Sequence, residues 1–89
     1  MGPSVRWRVA WTERALRDTD RLDPKYRQRV VASIDRYAAD EHGDVVRLEA
    51  VEPPEWRLRV GDLRVRFRRD IEAKTLYVLR VLRRDKAYR

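Results

Sequence analysis

The segment from Trp56 to Phe67 alternates apolar residues with arginine on both sides of a Gly61-Asp62 pair. Alternation with period two predicts β-strands that bury one face, and a Gly-Asp pair between two such strands predicts a tight turn. We therefore predict a hairpin of strands 56–60 and 63–67, whose apolar side chains face a core. Because successive side chains of a strand point to opposite faces, the arginines share the other face. These are Arg57, Arg59, Arg64 and Arg66.

Two helices are predicted before the hairpin, after an alternating first strand over residues 5–11. Thr12 is the predicted N-cap of a short helix that ends near Leu22. Apolar residues at helical spacing predict a second helix over residues 24–40, and Gly43 is predicted to supply the left-handed residue that stops it.

Residues 43–55 are predicted to be an acidic connector, held to the core by Val46 and Leu48. Residues 75–82 are nearly all apolar, which predicts a strand that is buried on both faces. The predicted order is β-α-α-β-β-β, an α+β domain with a mainly antiparallel sheet and a helical hairpin packed on one face.

Length and composition exclude several classes of protein. A chain of 89 residues predicts a single domain over 1–89, and residues 1–4 are expected to be disordered or foreign to the natural sequence. The chain has no cysteine and one histidine, which excludes a thiolate metal site, a disulfide framework and a cysteine nucleophile. No apolar run approaches the length of a membrane span, so we expect a cytoplasmic protein with no membrane partner.

The positive charge is concentrated in the last third of the chain. Residues 1–55 contain 10 basic and 11 acidic residues, whereas residues 56–89 contain 12 basic and 4 acidic residues. Of the 22 basic residues 19 are arginine, whose planar fork binds phosphate in a bidentate manner. A basic surface on one part of a small fold is typical of a polyanion-binding protein. A solvated outer sheet face is the alternative, but such a face ordinarily mixes charges of both signs.

Two segments resemble the RelE/ParE toxin superfamily of bacterial type II toxin–antitoxin modules. They are WRLRVGDLRVRFR, residues 56–68, and YVLRVLRRDKAYR, residues 77–89. The family pattern is similar: an aromatic-basic-apolar-basic strand, a Gly turn, an apolar-Arg-apolar strand, a buried strand, and then Arg-Arg, an acidic residue and Tyr. Leu82 stands where the family commonly has a small residue or His. The fold that the resemblance implies agrees with the fold predicted from periodicity.

The resemblance implies one of two activities. RelE-like members are ribosome-dependent endoribonucleases that cut mRNA in the ribosomal A site, and we favour this branch. ParE-like members act on DNA gyrase and generally lack the basic residues and the Tyr of the ribonuclease. A third alternative is a non-catalytic RNA- or DNA-binding domain.

The resemblance also assigns residues to a site. The implied catalytic residues are Arg59, Arg64, Arg83 and Tyr88, and the implied RNA-binding residues are Arg57, Arg66 and Arg84. Arg64 and Arg83 would bind the phosphate oxygens, Arg59 would compensate charge, and Tyr88 would stack on a base or transfer a proton. The general base is left open, because an ordinary Arg has a pKa above about 12 and an ordinary Tyr one of about 10.

The implied reaction is attack of the RNA 2′-OH on the adjacent phosphorus, with no metal and no cofactor. The implied partners are the ribosome with its mRNA and a cognate antitoxin that covers the cationic face. The antitoxin is expected to form a hetero-oligomer with the toxin and to bring it to operator DNA.

Overall fold

A computed structural model describes residues 6–84, so the expectations for residues 1–4 and for Tyr88 lie outside the described residues. Its elements in chain order are β1 (Arg8–Trp11), α1 (Glu13–Asp20), α2 (Pro24–Asp40), β2 (Asp44–Arg47), β3 (Trp56–Val60), β4 (Leu63–Asp70) and β5 (Thr75–Arg83). The five strands form one sheet in the order β1-β5-β4-β3-β2. Only the β1–β5 pair is parallel among the described strands. The predicted α+β class, with a mainly antiparallel sheet, is confirmed.

The prediction of a connector over residues 43–55 was wrong in part, because this segment contains the edge strand β2. This strand pairs antiparallel with β3 and places Val46 opposite Arg57. Val45 packs against the core, whereas Val46 is 42% exposed on the other face. The predicted core contact of Val46 is therefore wrong by one residue, which in a strand means the opposite face.

The helix N-terminus at Thr12 is confirmed, because its hydroxyl accepts a hydrogen bond from the N–H of Ala15. The second helix also matches its predicted bounds. Its left-handed end residue is Glu41, with φ 59°, and the N–H of Glu41 donates to the carbonyl of Tyr37. Gly43, the predicted stop, lies two residues further on with φ 155°.

The core lies between the sheet and the helices. Its largest fully buried side chains are Phe67, Ile34, Leu58, Leu76, Val30, Val65 and Val78. The ring of Tyr37 on α2 lies 5.3 Å from the ring of Phe67 on β4. The apolar face of the β3–β4 hairpin therefore packs against α2, and the helices occupy one side of the sheet only.

Strand β5 differs from the prediction because it is not buried on both faces. Tyr77 is 38% exposed on the side away from the helices. The part of β5 that follows its pairing with β1 has an open edge, and α1 covers this edge. There the Asp18 carboxylate accepts a hydrogen bond from the N–H of Val81 and pairs with Arg80, each at 2.9 Å. Within residues 6–84 no helix is long and apolar enough to cross a membrane.

Gly43→Ala is expected to destabilise the protein by roughly 1–3 kcal/mol. A Cβ at residue 43 would lie 2.9 Å from Cδ1 of the buried Leu58, and φ is positive there. Urea unfolding measures this loss. Gly61→Asn is the control, because Asn tolerates a left-handed φ and a Cβ at residue 61 meets only the end of Arg29 at 3.6 Å. Equal losses in the two variants would contradict the packing role of Gly43.

Alkaline pH is expected to destabilise the fold through Tyr37. Burial raises the pKa of the Tyr37 phenol above its usual 10.0, partly offset by the nearby charge of Arg69. Above about pH 10 the unfolded chain loses this proton while the native state retains it, so the free energy of unfolding falls. In Tyr37→Phe this fall should be shallower in urea titrations at increasing pH. An equally steep fall in Tyr37→Phe and in wild type would contradict this role of the Tyr37 phenol.

Candidate nucleic-acid interface

The outer face, which is the sheet face opposite the helices, carries the arginines predicted for it. The β3–β4 register pairs Arg57 with Arg66 and Arg59 with Arg64. Their sequence neighbours on the other face, including Leu58 and the core residues of β4, are buried. The four predicted arginines therefore share one face.

Arg64 is the most buried of these arginines, with 5% of its surface exposed. Its Nη1 donates to the carbonyls of Gly61 and Leu63, at 2.8 and 3.0 Å. The turn that the Gly61-Asp62 pair forms thus fixes this guanidinium. A cation held by neutral carbonyls keeps its full charge, so Arg64 is preorganised to meet an anion.

Arg66 and Arg68 share a carboxylate. Nη2 of Arg66 lies 2.6 Å from Oε1 of Glu55, and Nη2 of Arg68 lies 3.9 Å from Oε2. Glu55 is 8% exposed and stands just before β3. Because the Glu55 carboxylate offsets one positive charge there, the middle of the outer face is less cationic than the arginine count implies. Sequence reasoning placed Glu55 in the connector and missed this role.

A cleft of about 250 Å³ lies at the β2 side of the outer face. Its lining residues are Asp44, Val46, Arg57, Arg59, Arg64 and Arg84. Strand β2 places Asp44 directly opposite Arg59, so one carboxylate stands among four guanidinium groups. Asp44 was missed because β2 was not predicted. We call this feature the arginine cleft.

Arg83 lies on the other side of the sheet. It pairs with Leu63, whose side chain is in the core, and it lines a pocket with Tyr26 and Arg29. The next residue, Arg84, donates its backbone N–H to the carbonyl of Asp62 at 2.8 Å. Its side chain lines the arginine cleft. The structure therefore brings Arg84, and not Arg83, to Arg64.

A β-bulge explains why Arg83 and Arg84 have these positions. Arg66 pairs with Arg80 whereas Phe67 pairs with Val78, so Leu79 has no residue opposite it. One extra residue reverses the alternation of the strand. Tyr77 faces outward before the bulge, and Arg80, Leu82 and Arg84 follow it on the same face. Simple alternation from Tyr77 would have placed residue 83 on the outer face.

The arginine cleft has the chemistry to bind phosphate and to accept one proton. Guanidinium groups donate paired hydrogen bonds to phosphate oxygens, and the Asp44 carboxylate is an acceptor. Among residues 6–84 no group of three or more His, Cys, Asp and Glu side chains is arranged to hold a metal ion.

Solved structures share this architecture. The RelE–RelB complex of Pyrococcus horikoshii is 23% identical with a TM-score of 0.76, covering 92% of this chain and 99% of that one. The RelBE2 complex of Mycobacterium tuberculosis is 29% identical with a TM-score of 0.64, covering 90% and 100%. A mutant of the Escherichia coli toxin RelE in the free state is 17% identical with a TM-score of 0.66, covering 92% and 87%. The fold is thus that of RelE-like toxins.

A match to a family model identifies the family of this chain. The model of the family described as "ParE toxin of type II toxin-antitoxin system, parDE" matches residues 9–88. The chain belongs to this family and is a type II toxin of the RelE/ParE superfamily. The predicted superfamily is confirmed. No curated protein is significantly similar in sequence.

Arg59→Gln is expected to weaken binding of single-stranded RNA and to lower the slope of log K against log salt by roughly 0.7, the value for one phosphate contact. Filter binding over a salt series measures both. The matched control is Arg29→Gln, which removes the same charge from the pocket on the helix side of the sheet. If the two variants lose affinity equally, net charge and not the arginine cleft accounts for binding.

Proposed function

We propose that this toxin is a ribosome-dependent endoribonuclease that cuts mRNA on its outer face. The observation that supports the proposal is the arginine cleft, in which four guanidinium groups and one carboxylate line a space of about 250 Å³. A stability argument alone would not place arginines opposite each other on neighbouring strands. A phosphodiester offers a negative charge to Arg64, which neutral backbone carbonyls hold in place.

The proposed reaction is a transfer within the RNA. The 2′-oxygen attacks the adjacent phosphorus and gives its proton to a base, the bond from phosphorus to the 5′-oxygen breaks, and the leaving oxygen takes up a proton. The products are a 2′,3′-cyclic phosphate and a 5′-hydroxyl. Arg64, already held by the turn carbonyls, and Arg84 would stabilise the charge on the phosphate oxygens. Asp44 is the candidate base, and Tyr88 stays a candidate for stacking or proton transfer.

The ribosome has a defined part in this proposal. The arginine cleft has a volume of about 250 Å³ and is lined by side chains from three strands and the residue after β5, so it holds a phosphate but not a whole RNA strand. Fixing the 2′-oxygen in line with the leaving oxygen is an orientation effect that accounts for much of a rate enhancement. We infer that the A site of the ribosome supplies this orientation.

A cognate antitoxin is part of the proposal. Four of the similar structures are toxin–antitoxin complexes, from Pyrococcus horikoshii, Methanococcus jannaschii, Mycobacterium tuberculosis and Escherichia coli. The net charge of +7 makes an acidic protein the electrostatically favoured partner of this chain. The hetero-oligomer would reach operator DNA through the antitoxin.

Gyrase inhibition is the second candidate, favoured by the match to the ParE toxin family. The position of Arg83 on the helix side also favours it, since the resemblance assigned that residue to RNA cleavage. In this alternative the outer face contributes only electrostatic attraction to a protein partner.

Arg84→Ala is expected to reduce mRNA cleavage at least about 100-fold, because a preorganised donor to the reacting phosphate contributes that much. Primer extension on a defined mRNA in a reconstituted translation system, with and without ribosomes, measures the cuts. The matched control is the adjacent Arg83→Ala, which removes the same group from the opposite side of the sheet and should retain activity. Asp44→Asn should lose about 100- to 10,000-fold if Asp44 is the base, whereas Asp62→Asn should cut normally.

The same assay separates the alternatives. Cuts within codons that require ribosomes support the ribonuclease. Intact mRNA from folded protein, together with inhibition of gyrase supercoiling, would replace it with the second candidate. Loss of activity in Arg83→Ala but not in Arg84→Ala would reverse the assignment of the phosphate-binding arginine.

A further inference from the structure

A second concavity lies on the outer face, at the opposite end of β4 from the arginine cleft. It encloses about 720 Å³ between β4, β5 and the turn that joins them. Its lining residues include Arg68, Asp70, Ile71, Glu72, Tyr77 and Leu79. We call this feature the Tyr77 patch.

The Tyr77 patch exposes apolar surface. Tyr77 is 38% exposed and Ile71 is 69% exposed. The bulged Leu79 adds a further apolar side chain beside Tyr77. On the β1 side the neighbour of Tyr77 is Ala10, which is too small to cover an aromatic ring. An exposed tyrosine ring on an open sheet face is the kind of surface on which RNA-binding sheets stack bases.

Charge in the Tyr77 patch differs from that in the arginine cleft. Asp70 and Glu72 stand at one end, and Oδ1 of Asp70 accepts a hydrogen bond from the N–H of Ala73. Carboxylates repel phosphate but accept hydrogen bonds from the amino and imino groups of nucleobases. At the other end Arg68 stands directly opposite Tyr77. The patch therefore suits a base whose own phosphate lies on the side of Arg68.

The two sites are joined by one strand. Arg64 and Arg68 are four residues apart on β4, which separates their Cα atoms by about 13 Å. Arg66 lies between them on the same face. Both sites thus border one continuous surface along β4, with phosphate chemistry at one end and base chemistry at the other.

We propose that the Tyr77 patch is a nucleobase-binding subsite, in which Tyr77 stacks on one unpaired base of an RNA strand that places a phosphate in the arginine cleft. The proposal rests on the proposed function only in taking RNA as the ligand. Stacking between one base and an aromatic ring is worth roughly 5- to 150-fold in affinity. Because every base has a flat face, the subsite adds affinity at one position of the strand and does not require one sequence.

An abasic scan tests the proposal. The probe is a short single-stranded RNA that is 2′-O-methylated so that it cannot be cut, with one base removed at a time. Wild-type protein should lose roughly 5- to 150-fold in affinity at one position. Tyr77→Ala should lose the same factor on the intact RNA and nothing further on the RNA abasic at that position. Tyr77→Phe keeps the ring and should bind like wild type.

Tyr26→Ala is the matched control, because Tyr26 is 39% exposed on the helix side of the sheet. Its affinity and its abasic profile should equal those of wild type. Thermal unfolding of each variant checks that the fold is intact.

Three results would overturn the proposal: Tyr77→Ala binding as tightly as wild type, the same abasic loss in both proteins, or no RNA binding by folded wild type at low salt. The primer-extension assay is independent of this scan. Intact mRNA combined with Tyr77-dependent base binding would remove the proposed cleavage and leave the subsite in place.

Discussion

The packing of α2 against the apolar face of the β3–β4 hairpin is the interaction on which the rest of the structure depends. Phe67 and Leu58 are fully buried there, and the Tyr37 ring contacts Phe67 at 5.3 Å. Because a strand alternates its side chains, burying these residues fixes every second position on the outer face. A one-residue slip would bury four arginines and expose the core. The register is therefore enforced by a large free-energy difference, and the position of the arginines follows from it.

Concentrating cations on one face has an electrostatic cost, and the structure offsets only part of it. The Glu55 carboxylate, which Arg66 and Arg68 share, offsets one of their two positive charges. Arg64 has carbonyl partners instead, and it keeps its charge. Among residues 6–84, Asp44 at the β2 edge is the only carboxylate that lines the arginine cleft. The charge of Arg64 thus remains available at the β2 side of the face, where the side chains leave space for a ligand. Folding alone does not require this distribution, which is the physical reason to assign it to binding.

The hairpin, both helices and the shared face of the arginines could be predicted because each has a periodic signal of several residues. Strand β2 could not: its four residues, Asp-Val-Val-Arg, do not alternate between apolar and polar, and the surrounding acidic residues resemble a loop. Its omission also hid Asp44. The positions of Arg83 and Arg84 were unpredictable for another reason. A bulge at Leu79 reverses the alternation of β5, and it arises from pairing with β4 rather than from any local residue preference. Family resemblance transfers residue types along the chain, but a single bulge decides which face each of them reaches.

The turn formed by Gly61 and Asp62 connects the two sides of the sheet. The carbonyl of Gly61 accepts a hydrogen bond from Arg64 on the outer side, and the carbonyl of Asp62 accepts one from the N–H of Arg84. The same turn residues, with Leu63, line the pocket on the helix side that contains Arg83. A ligand on one side of the sheet therefore contacts a turn whose backbone also positions side chains on the other side. The fold thus places arginines on both sides of one turn, with Arg64 and Arg84 on the outer side and Arg83 on the helix side, and the bulge at Leu79 decides which of the two adjacent arginines reaches each side.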